Sequence, residues 1–247
     1  MTMFAAIWTA ISLALLTAGA ASAGGCGTVD FEGTSFSVCE ATPGDDIRLY
    51  LRDEAGDILG TFDRLGAEAA REGREIVFAM NGGMYHADRR PVGLYVEDGV
   101  EEAGLVTRAG PGNFGLLPNG VLCIQGDAVL VMESRAFEAA APECAFASQS
   151  GPMLVIDGAL HPRFLPDSTS QFIRNGVGVR GDGAFFAVIS DTPVTFHHFA
   201  RFFRDVLETP NALFMDGKVS RLFAPDFGRR DIGFPFGPML AVTRAAD

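Results

Sequence analysis

Two short apolar runs end in polar residues of a kind that could build a ligand site. Ile76 to Met80 leads into Asn81-Gly82-Gly83, and Leu213-Phe214-Met215 leads into Asp216-Gly217-Lys218-Val219-Ser220. Each run has the length of a strand, so the amide and the carboxylate would stand at strand ends. Glycine there lets the backbone approach a ligand and lets neighbouring N–H groups converge on an anion. The same dipeptides are ordinary turn formers, and Asp98-Gly99, Asn119-Gly120, Asp157-Gly158 and Asp182-Gly183 are read as turns. Ser150 lies in Ser148-Gln149-Ser150-Gly151-Pro152, which lacks the flanking glycines of a nucleophile elbow. His86, His161, His197 and His198 show no metal-ligand spacing, and no acidic turn matches an EF-hand loop. The expected site therefore has no metal and no cofactor. His86 follows Asn81 closely enough to support it, whereas His197 and His198 flank an apolar helix stripe and are expected to face solvent.

The elements that must position these residues are short. Phe36–Thr42 and Ile47–Arg52 read as strands joined in a hairpin through a Pro-Gly-Asp-Asp turn. Thr61–Arg74 places Phe62, Leu65, Ala69 and Ala70 at helical spacing, with Gly73 as a stop. Strand-length apolar runs follow at Ile76–Met80, Val92–Val96, Phe114–Leu117, Val121–Ile124, Val129–Met132 and Met153–Ile156, each bounded by turn residues. Val177–Arg180 and Ala184–Ile189, either side of Gly181-Asp182-Gly183, form a hairpin. Thr195–Leu207 is a helix with a phenylalanine stripe, and Ala212–Met215 and Met239–Val242 are further strands. The expected fold is α+β: one domain of many short, mostly antiparallel strands, with two main helices packed on the sheet.

Composition narrows the function. The 247 residues hold 48% hydrophobic and 20% charged side chains, with 30 Gly, 13 Pro and 21 Phe. That is too apolar for disorder and too rich in turns for a helical bundle. Nineteen basic against 31 acidic residues give a formal charge of -12, which excludes a broad nucleic-acid-binding face. Residues 1–23 carry an uncharged apolar run and end in Ala21-Ser22-Ala23, which reads as a secretory signal with 24–247 as the mature domain. No stable membrane span is expected after cleavage, and the product would be periplasmic or extracellular. Cys26, Cys39, Cys123 and Cys144 lack CxxC spacing and a nearby histidine. In an exported chain, pairing Cys26 with Cys39 and Cys123 with Cys144 closes two short loops, and free buried thiols are the alternative.

Asn81-Gly82-Gly83-Met84-Tyr85, followed by Pro91-Val92-Gly93-Leu94-Tyr95-Val96, resembles the opening block of the phosphodiester glycosidase family. The order continues with Asn113-Phe114-Gly115, Asn119-Gly120-Val121, Gln149-Ser150-Gly151-Pro152-Met153-Leu154, Arg174-Asn175-Gly176-Val177-Gly178 and Asn211-Ala212-Leu213-Phe214-Met215-Asp216-Gly217. The likeness spans about Phe78 to Val242. Where the eukaryotic branch is similar to Asp-Gly-Gly-Gly-Ser, this chain has Asp216-Gly217-Lys218-Val219-Ser220, as the bacterial exported branch does.

The resemblance implies hydrolysis of a sugar-1-phosphodiester. A phosphomonoester leaving group has its second pKa near ~6 and departs with little protonation. One carboxylate and one cation would then suffice, where ordinary glycosidases need an acid and a base. On that reading Asp216 is the nucleophile or the base for water, and Arg174 forks onto the phosphate. Asn81 binds sugar hydroxyls or the phosphate, and Gly82 and Gly83 expose N–H groups. Ser150, Gly151, Gly217 and Ser220 line the substrate site, with Asp191 as the best second carboxylate and Glu97 and Asp98 behind it. Lys218 either reaches an anionic substrate or is an exposed loop lysine. The partner is a small molecule or glycan carrying a sugar-1-phosphate linkage. The alternative is a non-catalytic envelope module that binds such glycans through the same pocket.

Overall fold

The computed structural model describes residues 24–216 and 219–246. The expected signal, residues 1–23, lies outside them. Along the chain run β1 (Gly25–Phe31), β2 (Thr34–Ala41), β3 (Asp46–Tyr50), α1 (Phe62–Arg71), β4 (Arg74–Asn81), β5 (Tyr95–Glu97), β6 (Val100–Ala103), β7 (Gly120–Gln125), β8 (Ala128–Glu133) and α2 (Ser134–Ala140). Then come β9 (Phe146–Ser150), β10 (Met153–Ile156), β11 (Ala159–Leu160), β12 (Asn175–Val179), β13 (Phe185–Ser190), α3 (Phe196–Arg201), β14 (Asn211–Asp216), β15 (Leu222–Ala224), β16 (Arg229–Arg230) and β17 (Met239–Ala245). They form three antiparallel sheets, ordered β1-β2-β13-β12-β14-β10-β11, β16-β15-β4-β17-β3 and β6-β5-β9-β7-β8. The α+β class is as expected.

The apolar runs lack polar alternation because their strands are covered on both faces. In β13, Phe185, Ala187 and Ile189 enter a core shared by the three sheets, while Phe186 and Val188 meet Phe199, Phe202 and Phe203 behind the first sheet. β14 divides the same way, with Leu213 and Met215 facing the shared core and Ala212 and Phe214 facing the phenylalanines. The second sheet buries its outer face under Leu65 and Ala69 of α1, and the third under Phe137 of α2. Close packing explains a glycine as well. A side chain on Gly178 of β12 would meet the Phe203 ring at 2.9 Å and Thr209 at 3.0 Å. α1 begins at Thr61, whose side chain accepts the Arg64 amide, and Thr195 caps α3 through the His198 amide.

Several expectations are corrected. Phe36–Thr42 and Ile47–Arg52 do not form a hairpin: β2 pairs with β1 and β13, whereas β3 pairs with β17 in another sheet. The turn between them is real, with the Thr42 amide on the Asp45 carboxylate at 2.6 Å, but it carries the chain around a corner between sheets. Phe114–Leu117 is a series of turns, and Val92–Val96 contributes strand only from Tyr95. The helix at Thr195–Leu207 changes pitch, continuing after α3 as a wider π turn over Phe202–Val206. His198 is half-buried, against the rings of Phe31 at 5.2 Å and Phe36 at 5.9 Å. Cys26–Cys39 and Cys123–Cys144 are the two disulfides, with Cα separations of 4.0 and 5.5 Å. Among the described residues, no helix is long and apolar enough to cross a membrane.

Candidate active site

Strand register brings the polar positions together. Asn175, at the start of β12, lies opposite Asp216 at the end of β14. Asn81 ends β4 of the second sheet, so the group sits where two sheets meet. Asn175 is the joint: its Nδ2 donates to Asn81 Oδ1 at 3.1 Å, and its Oδ1 accepts the Asp216 amide at 2.9 Å. Asn81 Oδ1 also accepts the Arg221 amide at 2.9 Å, while its Nδ2 donates to the Val219 carbonyl at 2.5 Å and reaches Asp216 Oδ2 at 3.5 Å. Both asparagines are fully buried, so these bonds fix the carboxylate's position.

Arg174 stands beside this network, 1% exposed. Its Nε donates to the Val194 carbonyl at 2.9 Å and its Nη2 to the Ser170 carbonyl at 3.1 Å. The guanidinium lies 3.6 Å from the Phe196 ring centre, and Phe196 stacks on Phe164 at 4.9 Å, which stacks on His161 at 4.6 Å. Among the described residues, no carboxylate is ion-paired with Arg174, and burial alone shifts its pKa. Burial pulls its pKa down to about 10, so it remains a cation at neutral pH. A buried cation held by carbonyls and a ring, without a carboxylate, is suited to an anionic ligand.

Arg174 and Asp216 line one pocket of about 350 Å³. Met84, Val92, Phe172 and Val219 supply its apolar wall, and Tyr85 and Asn113 add two further polar side chains. Burial, and then the charge of Asp216, push the Tyr85 phenol above its usual pKa, so it stays a neutral donor. Among the described residues, no three His, Cys, Asp or Glu side chains gather as metal ligands.

The remaining candidates are placed as follows. Gly82 donates its N–H to the Pro238 carbonyl at 2.7 Å and so does not offer it to a ligand; a side chain there would meet the backbone of Met239. Gly83 packs against Ser148 in the same way. Ser150 is fully buried and donates to the Met215 carbonyl at 2.9 Å, and Gly151 packs against Asn119. Ser150 thereby supports the strand that carries Asp216. Ser220 donates to the Asp216 carbonyl at 2.8 Å. Gly217 and Lys218 lie outside the described residues. Asp191 stands apart, accepting the Ser35 and Ser37 hydroxyls at 2.9 Å each and pairing with Arg229 at 2.6 Å. Glu97 is bonded to Tyr95 and does not line the pocket, and His86 is exposed in a turn. Asn175, Tyr85, Asn113 and the Phe196 platform were not singled out for a role in the sequence. The first three lie within the family blocks, which is the signal that could have found them.

A sequence model of the phosphodiester glycosidase family matches residues 74–233. The uncharacterized protein YigE of Escherichia coli (strain K12) is 34% identical over 198 residues, which cover 80% of this chain and 77% of that protein. The catalytic domain of zebrafish N-acetylglucosamine-1-phosphodiester alpha-N-acetylglucosaminidase, auto-inhibited by its pro-peptide, has a similar structure. Its TM-score is 0.59 at 13% identity, over 88% of this chain and 81% of that one. A hypothetical protein from Synechocystis matches with a TM-score of 0.56 at 14% identity, over 88% of this chain and 61% of that one. At such identities the structural likeness is one of fold.

Proposed function

The chain belongs to the phosphodiester glycosidase family, and from that premise we propose that it is an exported hydrolase that cleaves a sugar-1-phosphodiester. The observation that carries the reading is the shared pocket, in which a carboxylate and a buried cation without a carboxylate partner face one ligand-sized space. Asp216 acts at the anomeric carbon, as nucleophile or as the base that activates water. Arg174 binds the phosphate oxygens and stabilises the charge that gathers there as the anomeric C–O bond breaks. The bond electrons leave with the phosphomonoester, whose low second pKa (~6) makes proton donation to it unnecessary. Asn81 and Asn175 hold Asp216 in place, and Tyr85 donates a hydrogen bond to the sugar or the phosphate. The two disulfides support an oxidising compartment, periplasmic or extracellular.

The test is release of sugar and phosphomonoester from a panel of α- and β-hexose-1-phosphodiesters by the purified protein and its Asp216→Asn variant. Turnover by the wild type and a loss of at least ~10³-fold in the variant support the reading. Retention at the anomeric carbon, read by NMR, assigns Asp216 as nucleophile, and inversion assigns it as base. No turnover across the panel, with glycan binding retained, establishes the non-catalytic module instead.

A further inference from the structure

The large apolar side chains that remain exposed are not scattered. Seven are exposed among the described residues, and five of them fall in two segments beside the pocket: Leu165, Phe172 and Ile173 in one, Ile232 and Phe234 in the other. Ile232 is 92% and Phe234 84% exposed. Scattered single apolar residues are normal on a surface, but a group of this kind around a pocket marks an interaction site.

Contacts tie both segments to the site. Phe172 lines the pocket, and the Ile173 carbonyl accepts the Ser220 hydroxyl at 3.2 Å. In the second segment Arg221, whose amide is held by Asn81, donates from Nη1 to the Phe234 carbonyl at 2.7 Å. Gly237, at the end of the same loop, packs against Tyr85. Ile232 also lines a second cavity with Phe62, Arg221 and Phe236, so this loop runs from that cavity to the Tyr85 wall of the pocket.

Charge identifies the occupant. The three segments near the mouth, residues 84–92, 162–173 and 219–237, carry six arginines against four aspartates, in a chain whose formal charge is -12; Arg90 and Arg229 are held in ion pairs, whereas among the described residues Arg89, Arg163, Arg221 and Arg230 are in none. A locally basic rim bearing exposed Ile and Phe is the surface chemistry of a protein that inserts apolar side chains below anionic lipid headgroups while its cations meet those headgroups.

We infer that the mouth of this pocket docks on an anionic lipid surface, and that the phosphate-side group of the substrate is a lipid anchored in it. The second clause rests on the hydrolase reading. Docking would place the pocket at headgroup depth, where a sugar joined through phosphate to a lipid is presented. The apolar wall of Met84, Val92 and Phe172 would receive the part of the lipid next to the phosphate.

The experiment is co-sedimentation of the purified protein with vesicles of phosphatidylcholine alone and of phosphatidylcholine mixed with phosphatidylglycerol. The wild type is expected to sediment with the mixed vesicles and to be released by salt. The Ile232→Ser/Phe234→Ser double variant is expected to lose about tenfold in partition. Val100→Ser, which removes an exposed apolar residue from β6, is expected to sediment as the wild type does. A wild type that stays in solution with the mixed vesicles, or a double variant that sediments equally well, overturns the inference. Turnover of a soluble methyl hexose-1-phosphodiester by the same samples reports on the hydrolase reading separately. The double variant, altered only at exposed positions, is expected to retain it.

Discussion

Two arginines stand beside strand ends of the first sheet, Arg229 of the second sheet against Asp191 just after β13 and Arg174 just before β12, and they are built to opposite ends. Beyond β13, Asp191 is saturated by two serine hydroxyls and by Arg229, which also pairs with Asp231 at 3.1 Å. Before β12, Arg174 is more deeply buried, yet among the described residues its guanidinium donates only to carbonyls, and it lies against an aromatic ring. The first cation is neutralised by the fold. The second is desolvated without being neutralised, an arrangement that costs stability unless an anion arrives. Residue type alone does not separate the two, and partner and burial do.

This contrast is sharpest when each arginine is replaced. Arg174→Met keeps an extended apolar stem on the Phe196 ring and removes the charge. Hydrolysis by the folded protein, measured as kcat/KM, is expected to fall about 10²–10³-fold, the usual effect of removing a donor from a developing anion. Its melting midpoint should move little, because an uncompensated cation is removed along with its hydrogen bonds. Arg229→Met should do the reverse. It leaves Asp191 half-buried beside hydroxyls without its cation, at a cost of about 2–3 kcal/mol in denaturant unfolding, with kcat/KM unchanged. An Arg174→Met protein that unfolds easily while its folded fraction remains fully active would erase the distinction.

Among the described residues, a half-buried carboxyl in no ion pair extends the comparison. Glu97 accepts the Tyr95 hydroxyl at 2.6 Å, and burial pushes its pKa up from 4.5 to about 7 against that hydrogen bond. The folded state therefore holds this proton more tightly than the unfolded chain. The group's contribution is fully present below about 4.5 and is lost as pH rises through about 7, amounting to about 3 kcal/mol. Denaturant midpoints of Glu97→Gln should lack that decline with pH. An identical pH profile in the variant would show that Glu97 is ionised throughout.

Much of this architecture is legible in the sequence because the apolar runs have strand length and glycine or proline bounds. The β12–β13 hairpin and the α1 cap follow from local residues, and the two disulfides from short spacing. β1 was missed because Gly-Cys-Gly-Thr-Val-Asp-Phe is an edge strand with polar, exposed positions and no apolar run. The β2–β3 corner was missed because a turn sequence fixes a change of direction but not which sheet the chain enters next. The site divides in the same way. Asp216, Arg174 and Asn81 stand out as polar residues against apolar strands, whereas Asn175 gains its role from standing opposite Asp216 across two strands 41 residues apart. That register depends on the whole sheet.

The smallest expected effect concerns the ring beneath the cation. Phe196 contacts Arg174 at 3.6 Å on one side and Phe164 at 4.9 Å on the other, and it meets Phe214 edge-on at 4.8 Å. Phe196→Leu retains apolar contact but removes the π face, worth about 0.5–2 kcal/mol when the cation is desolvated. Its guanidinium would keep both carbonyl acceptors but lose the plane that orients it. kcat/KM is therefore expected to fall roughly 3–10-fold, by the same conversion of free energy to rate. On the proposed reading, in which Arg174 meets the phosphate, the loss should be greatest for substrates whose leaving phosphate is least stabilised by its own substituent. A merely structural role for Phe196 would lower the melting midpoint and scale all substrates equally. Tyr at the same position restores a π face and should recover most of the rate, whereas a Tyr variant as slow as the Leu variant would assign the ring to packing alone. Arg174 would then be oriented by Val194 and Ser170, and its difference from Arg229 would rest on the missing carboxylate rather than on the aromatic stack.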